Sequence, residues 1–253
     1  MSDNKIKVLG IHIYDGTIHT AISRINLSVG ARKNLLVSAT GAHGIIEAIK
    51  NPIFKDILNL FHLNLPDGQP NVWIAKLKGA KKINHCYGPD FFREFLSLSA
   101  DNSKIRHFFC GGISGVAVEL QKAIESKFNN SNVVGTHCPP FLDVEKYDYR
   151  QIAELIKNSN ANIIWIGLST PKQEQFAYLL SEFTKVDAII CVGAAFDFHT
   201  DRVKQAPKFI QQVGLEWFFR LLMEPRRLFK RYVEIVPKFI VYNILDLLKL
   251  KSF

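Results

Sequence analysis

The chain has 253 residues, enough for one large α/β domain or a domain with an appendage, and an apolar content that supports a substantial core. Its net charge is +9, and eleven Lys and Arg follow residue 200 against Asp201, Glu216, Glu224, Glu234 and Asp246. The excess is therefore C-terminal, which points to anionic lipid, phosphate groups or nucleic acid. Cys86, Cys110, Cys138 and Cys191 are scattered without a C-x-x-C pair, which indicates neither a zinc site nor a dithiol motif and suits the cytosol. No apolar leader opens the chain, and the longest apolar stretch, 239–250, is too short and too polar to span a bilayer.

In chain order, Val8 to Tyr14 alternates as a strand, and Asp15 is placed to cap a helix through Ile18, Ala21, Ile22 and Ile25. Asn34 to Val37 reads as a buried strand, followed by a helix at Ile45 to Ile49. Asn71 to Leu77 and Phe91 to Leu98 read as helices. Ile105 to Cys110 reads as a strand, with Ser114 capping a helix from Val116 to Phe128. Strands at Asn132 to Gly135, Asn162 to Leu168 and Ala188 to Val192 alternate with helices at Tyr149 to Lys157 and Pro171 to Phe183. This βα rhythm predicts a Rossmann-like α/β fold: a mainly parallel sheet with helices on both faces. Strand signals stop after Asp197. Pro207, Gly214, Pro225 and Pro237 divide the remainder into short helical pieces. Residues 1–200 are thus expected to form the catalytic α/β domain and 201–253 a basic, amphipathic helical appendage.

The strand ends carry the chemistry. Asp67, between Pro66 and Gly68, is either a turn residue or a carboxylate positioned to take a proton. Thr170-Pro171-Lys172-Gln173 reads as a helix start, with Thr170 as cap and Gln173 closing a capping box, and such an N-terminus favours anions. Glu174 reads as a helix-surface charge. Gly111, Gly112 and Gly115 admit close approach either of a nucleotide diphosphate or of the following helix. Gly193 and Asp197 close a later strand, and Asp197 can bind a sugar or ribose hydroxyl or cap the next element. G-G-x-x-G is not the full dinucleotide fingerprint. No D-x-D is present to hold a metal on a diphosphate, so Arg220, Arg226, Arg227 and Arg231 are the candidates to compensate its charge, or to dock on lipid headgroups.

Several segments together resemble the WecG/TagA/CpsF glycosyltransferase family: Val37 to Gly44, Leu65-Pro66-Asp67-Gly68, Tyr87-Gly88-Pro89-Asp90, Cys110 to Ala117, Gly167 to Glu174, Gly193 to Phe198, Arg202 to Pro207 and Gly214 to Tyr232. The resemblance implies transfer of a sugar of the ManNAc, glucose or uronic-acid type from a UDP-sugar to a lipid-linked (polyprenyl diphosphate) saccharide. It places this at the cytoplasmic face of a bacterial membrane, in polysaccharide or wall-polymer synthesis. It implies an inverting single displacement with Asp67 as general base and contacts from Gln173 and Lys172; at the strand ends Gly111, Gly112, Gly167, Gly193 and Asp197 are taken as candidates for binding the donor. The segment around Thr40 and His43 departs from the commoner T-x-N pattern, so these two are taken only as lining the site. No cofactor or metal is expected; the partners are the UDP-sugar, the acceptor and an anionic membrane surface, with homo-oligomerisation left open. The alternative is a non-catalytic nucleotide-sugar or lipid-linked-sugar binding component of an assembly complex. Nucleic acid is disfavoured because the basic tail interleaves Trp217, Phe218, Phe219 and Leu221, which suits lipid better than a solvated groove.

Overall fold

The computed structural model describes residues 5–253. It opens on an antiparallel hairpin, β1 (Lys5–Val8) and β2 (Ile11–Tyr14). One strand was expected across Val8 to Tyr14. The chain instead reverses at Leu9 and Gly10, whose φ of 48° and 82° make the two-residue turn that matches hairpin twist.

Six strands form an all-parallel sheet: β3 (Leu35–Thr40), β4 (Leu63–Pro66), β5 (His107–Gly111), β6 (Val133–His137), β7 (Ile163–Gly167) and β8 (Ala188–Cys191), in the order β4-β3-β8-β7-β5-β6. The inner strands β7 and β8 are buried along almost their whole length, which is why they read as unbroken apolar runs rather than alternating ones. β4 was not anticipated, because the four residues Leu-Asn-Leu-Pro carry too little pattern.

Helices cover both faces. α1 (Ile18–Leu27), α5 (Gly88–Leu98), α6 (Val116–Phe128) and α9 (Ala195–His199) pack on one face around Trp165, with Phe91, Phe92, Phe95, Phe109 and Phe196. The buried Trp165 Nε1 donates to His107 Nδ1 at 3.1 Å, and His107 Nε2 meets Ser99 Oγ at 2.8 Å, so this aromatic core leaves no polar ring atom stranded. α3 (Pro52–Leu60), α7 (Tyr149–Ser159) and α8 (Lys172–Phe183) cover the other face around Phe61, Phe108, Phe176 and Leu180. α3 was also missed from the sequence, although Asn51 accepts from Phe54 N and Pro52 follows at the first helical position.

Two caps differ from expectation. α1 is capped by Thr17, which exchanges hydrogen bonds with Thr20; Asp15 instead accepts from Lys81 N and Lys82 N and pins a distant loop. α6 starts beyond Ser114, at a left-handed Gly115.

A third core joins the hairpin, α2 (Ala42–Lys50), α3 and α4 (Gln69–Leu77) to the C-terminal segment. That segment comprises α10 (Lys208–Gln212), α11 (Glu216–Met223) and α12 (Pro225–Leu247). The expected break at Pro237 does not occur: α12 runs through it as one helix of 23 residues. A proline removes one N–H and crowds the preceding turn. Packing on both sides of it holds the helix, because Ile235 and Phe239 are buried against Val8, Ile11, Ile45 and Phe54. The neighbouring face of α12 exposes Val233, Ile240, Val241 and Ile244. Among the described residues no helix is long and apolar enough to cross a membrane.

Candidate active site

Because all six strands run the same way, their carboxyl ends share one edge, where open α/β sheets bind ligands. The turn after β4 delivers Asp67. Its N–H bonds Thr40 O at 3.2 Å, Gly88 N donates to its Oδ1 at 3.1 Å, and Gly41 lies close enough that a Cβ there would stand 3.5 Å from Oδ2. Gly68 follows with φ +90°, a conformation that a side chain would strain, and donates to His85 Nε2 at 3.0 Å. Burial pushes the Asp67 carboxyl up to about 6, partly offset by the Gly88 hydrogen bond and the positive charge of Arg220.

Thr40 is buried at the end of β3 and donates to Asn64 Oδ1 at 3.2 Å. Asn71 braces the two strand ends: its Nδ2 donates to Thr40 O and Asp67 O, while its Oδ1 is buried and unpaired. His43 sits on the first turn of α2, 3.8 Å from Glu47; burial and Arg231 lower its pKa to about 4, so it is neutral at pH 7.

The C-terminal segment completes this edge. The half-buried Arg220 guanidinium lies 5.3 Å from the Phe198 ring centroid and 3.8 Å from Glu224. Burial opposes its charge, but Tyr232, Tyr87, Glu216 and Glu224 around it raise its pKa overall. Its Nε is buried without a hydrogen-bond partner. Glu216, which sequence reasoning passed over, stands here too. Burial and then the Asp67 charge push it up to about 8, so it is protonated at pH 7. It faces the buried Tyr87 hydroxyl, which closes no hydrogen bond of good geometry. In the sequence, Glu216 has the form of an ordinary acid in a helix's first turn.

Arg227 pairs with Glu224 at 2.6 Å and, with Lys230 and Arg231, borders a groove of about 290 Å³ that also contacts His43, Glu47 and Glu234. Arg226 is exposed on the first turn of α12. Asp197 lies inside α9 and caps neither it nor α10; burial raises its pKa, eased by Arg227.

The β5 and β7 glycines are accounted for by packing. A Cβ on Gly111 would meet Gly167 O at 2.6 Å, one on Gly112 the Val116 side chain at 2.7 Å, and one on Gly167 the Phe196 ring at 2.9 Å. Gly112 N donates to Gly167 O at 3.0 Å.

The Thr170 to Glu174 segment differs most from its reading. α8 begins at Lys172 behind Pro171, and Thr170 donates its hydroxyl to Glu174 Oε1 instead of capping the helix. Lys172 Nζ donates to Leu142 O and lies 3.6 Å from the Phe141 ring centroid. Gln173 is buried: its Nε2 donates to Thr170 Oγ1 and Glu174 Oε1, and its Oε1 accepts from Gly193 N at 3.0 Å. Glu174 is not a surface charge but is 1% exposed. Its pKa is raised by burial, against hydrogen bonds from Gln173, Thr170 and Ser38.

The site therefore gathers a carboxylate titrating near neutrality, an arginine beside it and several strand-end loops on one edge. Such a set suits proton removal next to a developing negative charge. Two proteins named N-acetylglucosaminyldiphosphoundecaprenol N-acetyl-beta-D-mannosaminyltransferase resemble the chain. That of Bacillus spizizenii (strain ATCC 23059 / NRRL B-14472 / W23) is 30% identical over 194 residues, 77% of this chain and 72% of that protein. That of Bacillus subtilis (strain 168) is 28% identical over 215 residues, 85% of this chain and 79% of that protein. The family model described as glycosyl transferase WecG/TagA/CpsF matches residues 6–252, from the first hairpin to the end of the C-terminal segment, and the chain belongs to this family of glycosyltransferases.

Proposed function

We propose that the chain moves a sugar from a UDP-sugar to a saccharide carried on a polyprenyl diphosphate, with Asp67 as general base. The carrying observation is Asp67 itself: a half-buried carboxylate at a strand end, raised to about 6 and facing Arg220. In the proposed step the acceptor hydroxyl gives its proton to Asp67, its oxygen bonds the sugar's anomeric carbon, and UDP leaves with the electron pair of the broken bond. One displacement inverts that carbon. Arg220, with Arg227 and Arg231 nearby, supplies positive charge to the departing diphosphate, and the reading requires no metal. The names of the two Bacillus relatives support N-acetylmannosamine as the sugar and N-acetylglucosaminyl diphosphoundecaprenol as the acceptor.

The exposed apolar residues Phe209, Phe218, Leu222, Phe229, Ile240 and Ile244, set among basic side chains, support docking of this segment on an anionic bilayer that carries the acceptor. The test is incubation with a panel of radiolabelled UDP-sugars and membrane lipid extract. Label is expected in the lipid phase with UDP-N-acetylmannosamine. UDP-sugar binding without label in lipid for any donor would replace the transferase by a binding component.

A further inference from the structure

Glu174 lies on the first turn of α8, and among the described residues no cation forms an ion pair with it. Its Oε1 receives three donors: Ser38 Oγ, Thr170 Oγ1 and Gln173 Nε2, each at 2.9 Å. Its Oε2 is buried without a hydrogen bond. Ser38 belongs to β3, Thr170 to the turn after β7, and Gln173 passes the connection on to Gly193 N just beyond β8. One carboxylate thereby joins the ends of three strands that are adjacent in the sheet.

A buried ionisable group without a counter-ion is unfavourable, and an apolar side chain of similar volume would serve packing better. The geometry gives Glu174 another task. Oε1 already accepts from Ser38 and Thr170, and an oxygen held as acceptor to those donors turns the Gln173 amide so that Nε2 faces it. The amide oxygen must then face Gly193 N, at a residue whose φ is +54°. Thr170 also lies beside α2: a Cβ on Gly44 would stand 3.5 Å from Thr170 Cγ2.

We infer that Glu174 is a positioning residue of the transfer site, which sets the Gln173 amide and through it the β8–α9 turn, so that the start of α2 with His43, the turn at Thr170 and α9 with Asp197 act as one surface. This rests on the proposed placement of the sugar donor at this edge.

Glu174→Met tests it, because Met fills similar volume and accepts no such bonds. The variant should melt somewhat lower, because Ser38 Oγ, Thr170 Oγ1 and Gln173 Nε2 lose their acceptor, yet stay folded at the assay temperature. Its kcat/KM for the donor should fall about 10²-fold, the loss expected when reacting groups are misplaced by about 1 Å. The acceptor KM should stay near that of the parent. Adding Gln173→Ala should cost little more, because both changes break one linkage. Hydrogen exchange should quicken together in 167–173 and 191–197. Parental kcat/KM in the folded variant, or a loss that only follows the unfolded fraction, overturns the inference. If the parent transfers no sugar from any UDP donor, the functional proposal fails by itself. The exchange measurement then still decides: unchanged protection of 191–197 in Glu174→Met rejects the linkage.

Discussion

Asp67 is held in conflict, since burial disfavours its charge while Gly88 and Arg220 favour it, and burial wins. Glycosyl transfer should therefore rise with pH through about 6 as the base ionises, measured as kcat/KM across pH. A flat profile through that range would leave Asp67 without the base role. The stability sign is opposite. An acid whose pKa is raised on folding binds its proton more tightly in the native state, so stability is fully present below about 3.8 and is lost as pH rises through about 6. Asp67→Asn removes the charge and keeps an acceptor for Gly88 N. It should raise stability at pH 7 by about 1–2 kcal/mol, discounted because the carboxyl is only half-buried, while lowering transfer by about 10²–10⁴-fold. A melt and a turnover assay on one preparation check both. At this scale the place of Asp67 in a tight turn between two elements was legible from P-D-G. Glu174 and Glu216 were not. Both sit on the first turn of a helix, where acids are common, and their burial is imposed from far away: Ser38 lies 136 residues from Glu174, and the neighbours of Glu216 are Asp67 and Tyr87.

α12 has two faces with different duties. Leu228, Ile235, Phe239 and Asn243 point inward, and Ile240, Val241 and Ile244 outward. Phe239→Ala should cost about 3–5 kcal/mol by thermal or urea unfolding, as for other buried aromatic residues. Replacing Ile240 and Ile244 by Ser should change stability little yet weaken binding to anionic liposomes, read by co-sedimentation. Removing everything from Gly214 onward should destabilise the remainder as well, because Ile235 and Phe239 are shared with the hairpin and α2. In α11, Arg220→Ala removes the cation that lowers the Asp67 pKa, so the acid limb should move to higher pH as the rate falls about 10²–10³-fold. An unmoved limb would separate Arg220 from the base. The sequence conveyed the helical character and charge of this segment. It did not convey that one helix passes through Pro237, because tertiary packing of Ile235 and Phe239 overrides the local breaker.

For the whole molecule, the parallel sheet was readable because β7 and β8 are inner strands, and such strands are apolar end to end. The edge strand β4 was not, because Leu-Asn-Leu-Pro carries little pattern, and of the opening hairpin only the strand signal was read, without the reversal at Leu9 and Gly10. The order β4-β3-β8-β7-β5-β6 brings residues from both halves of the chain to one edge, and no local pattern encodes that juxtaposition. The charge at this edge also bears on metal use. If Arg220, Arg227 and Arg231 compensate the diphosphate as proposed, transfer should persist in EDTA; loss on chelation with recovery on adding magnesium or manganese would assign that duty to a metal. The most direct test of the account compares parent and Asp67→Asn with radiolabelled UDP-N-acetylmannosamine and N-acetylglucosaminyl diphosphoundecaprenol, following label into the lipid phase while UDP binding is measured alongside. The account predicts label in lipid with the parent, and little with the variant despite intact UDP binding. Transfer by Asp67→Asn at the parental rate would contradict it.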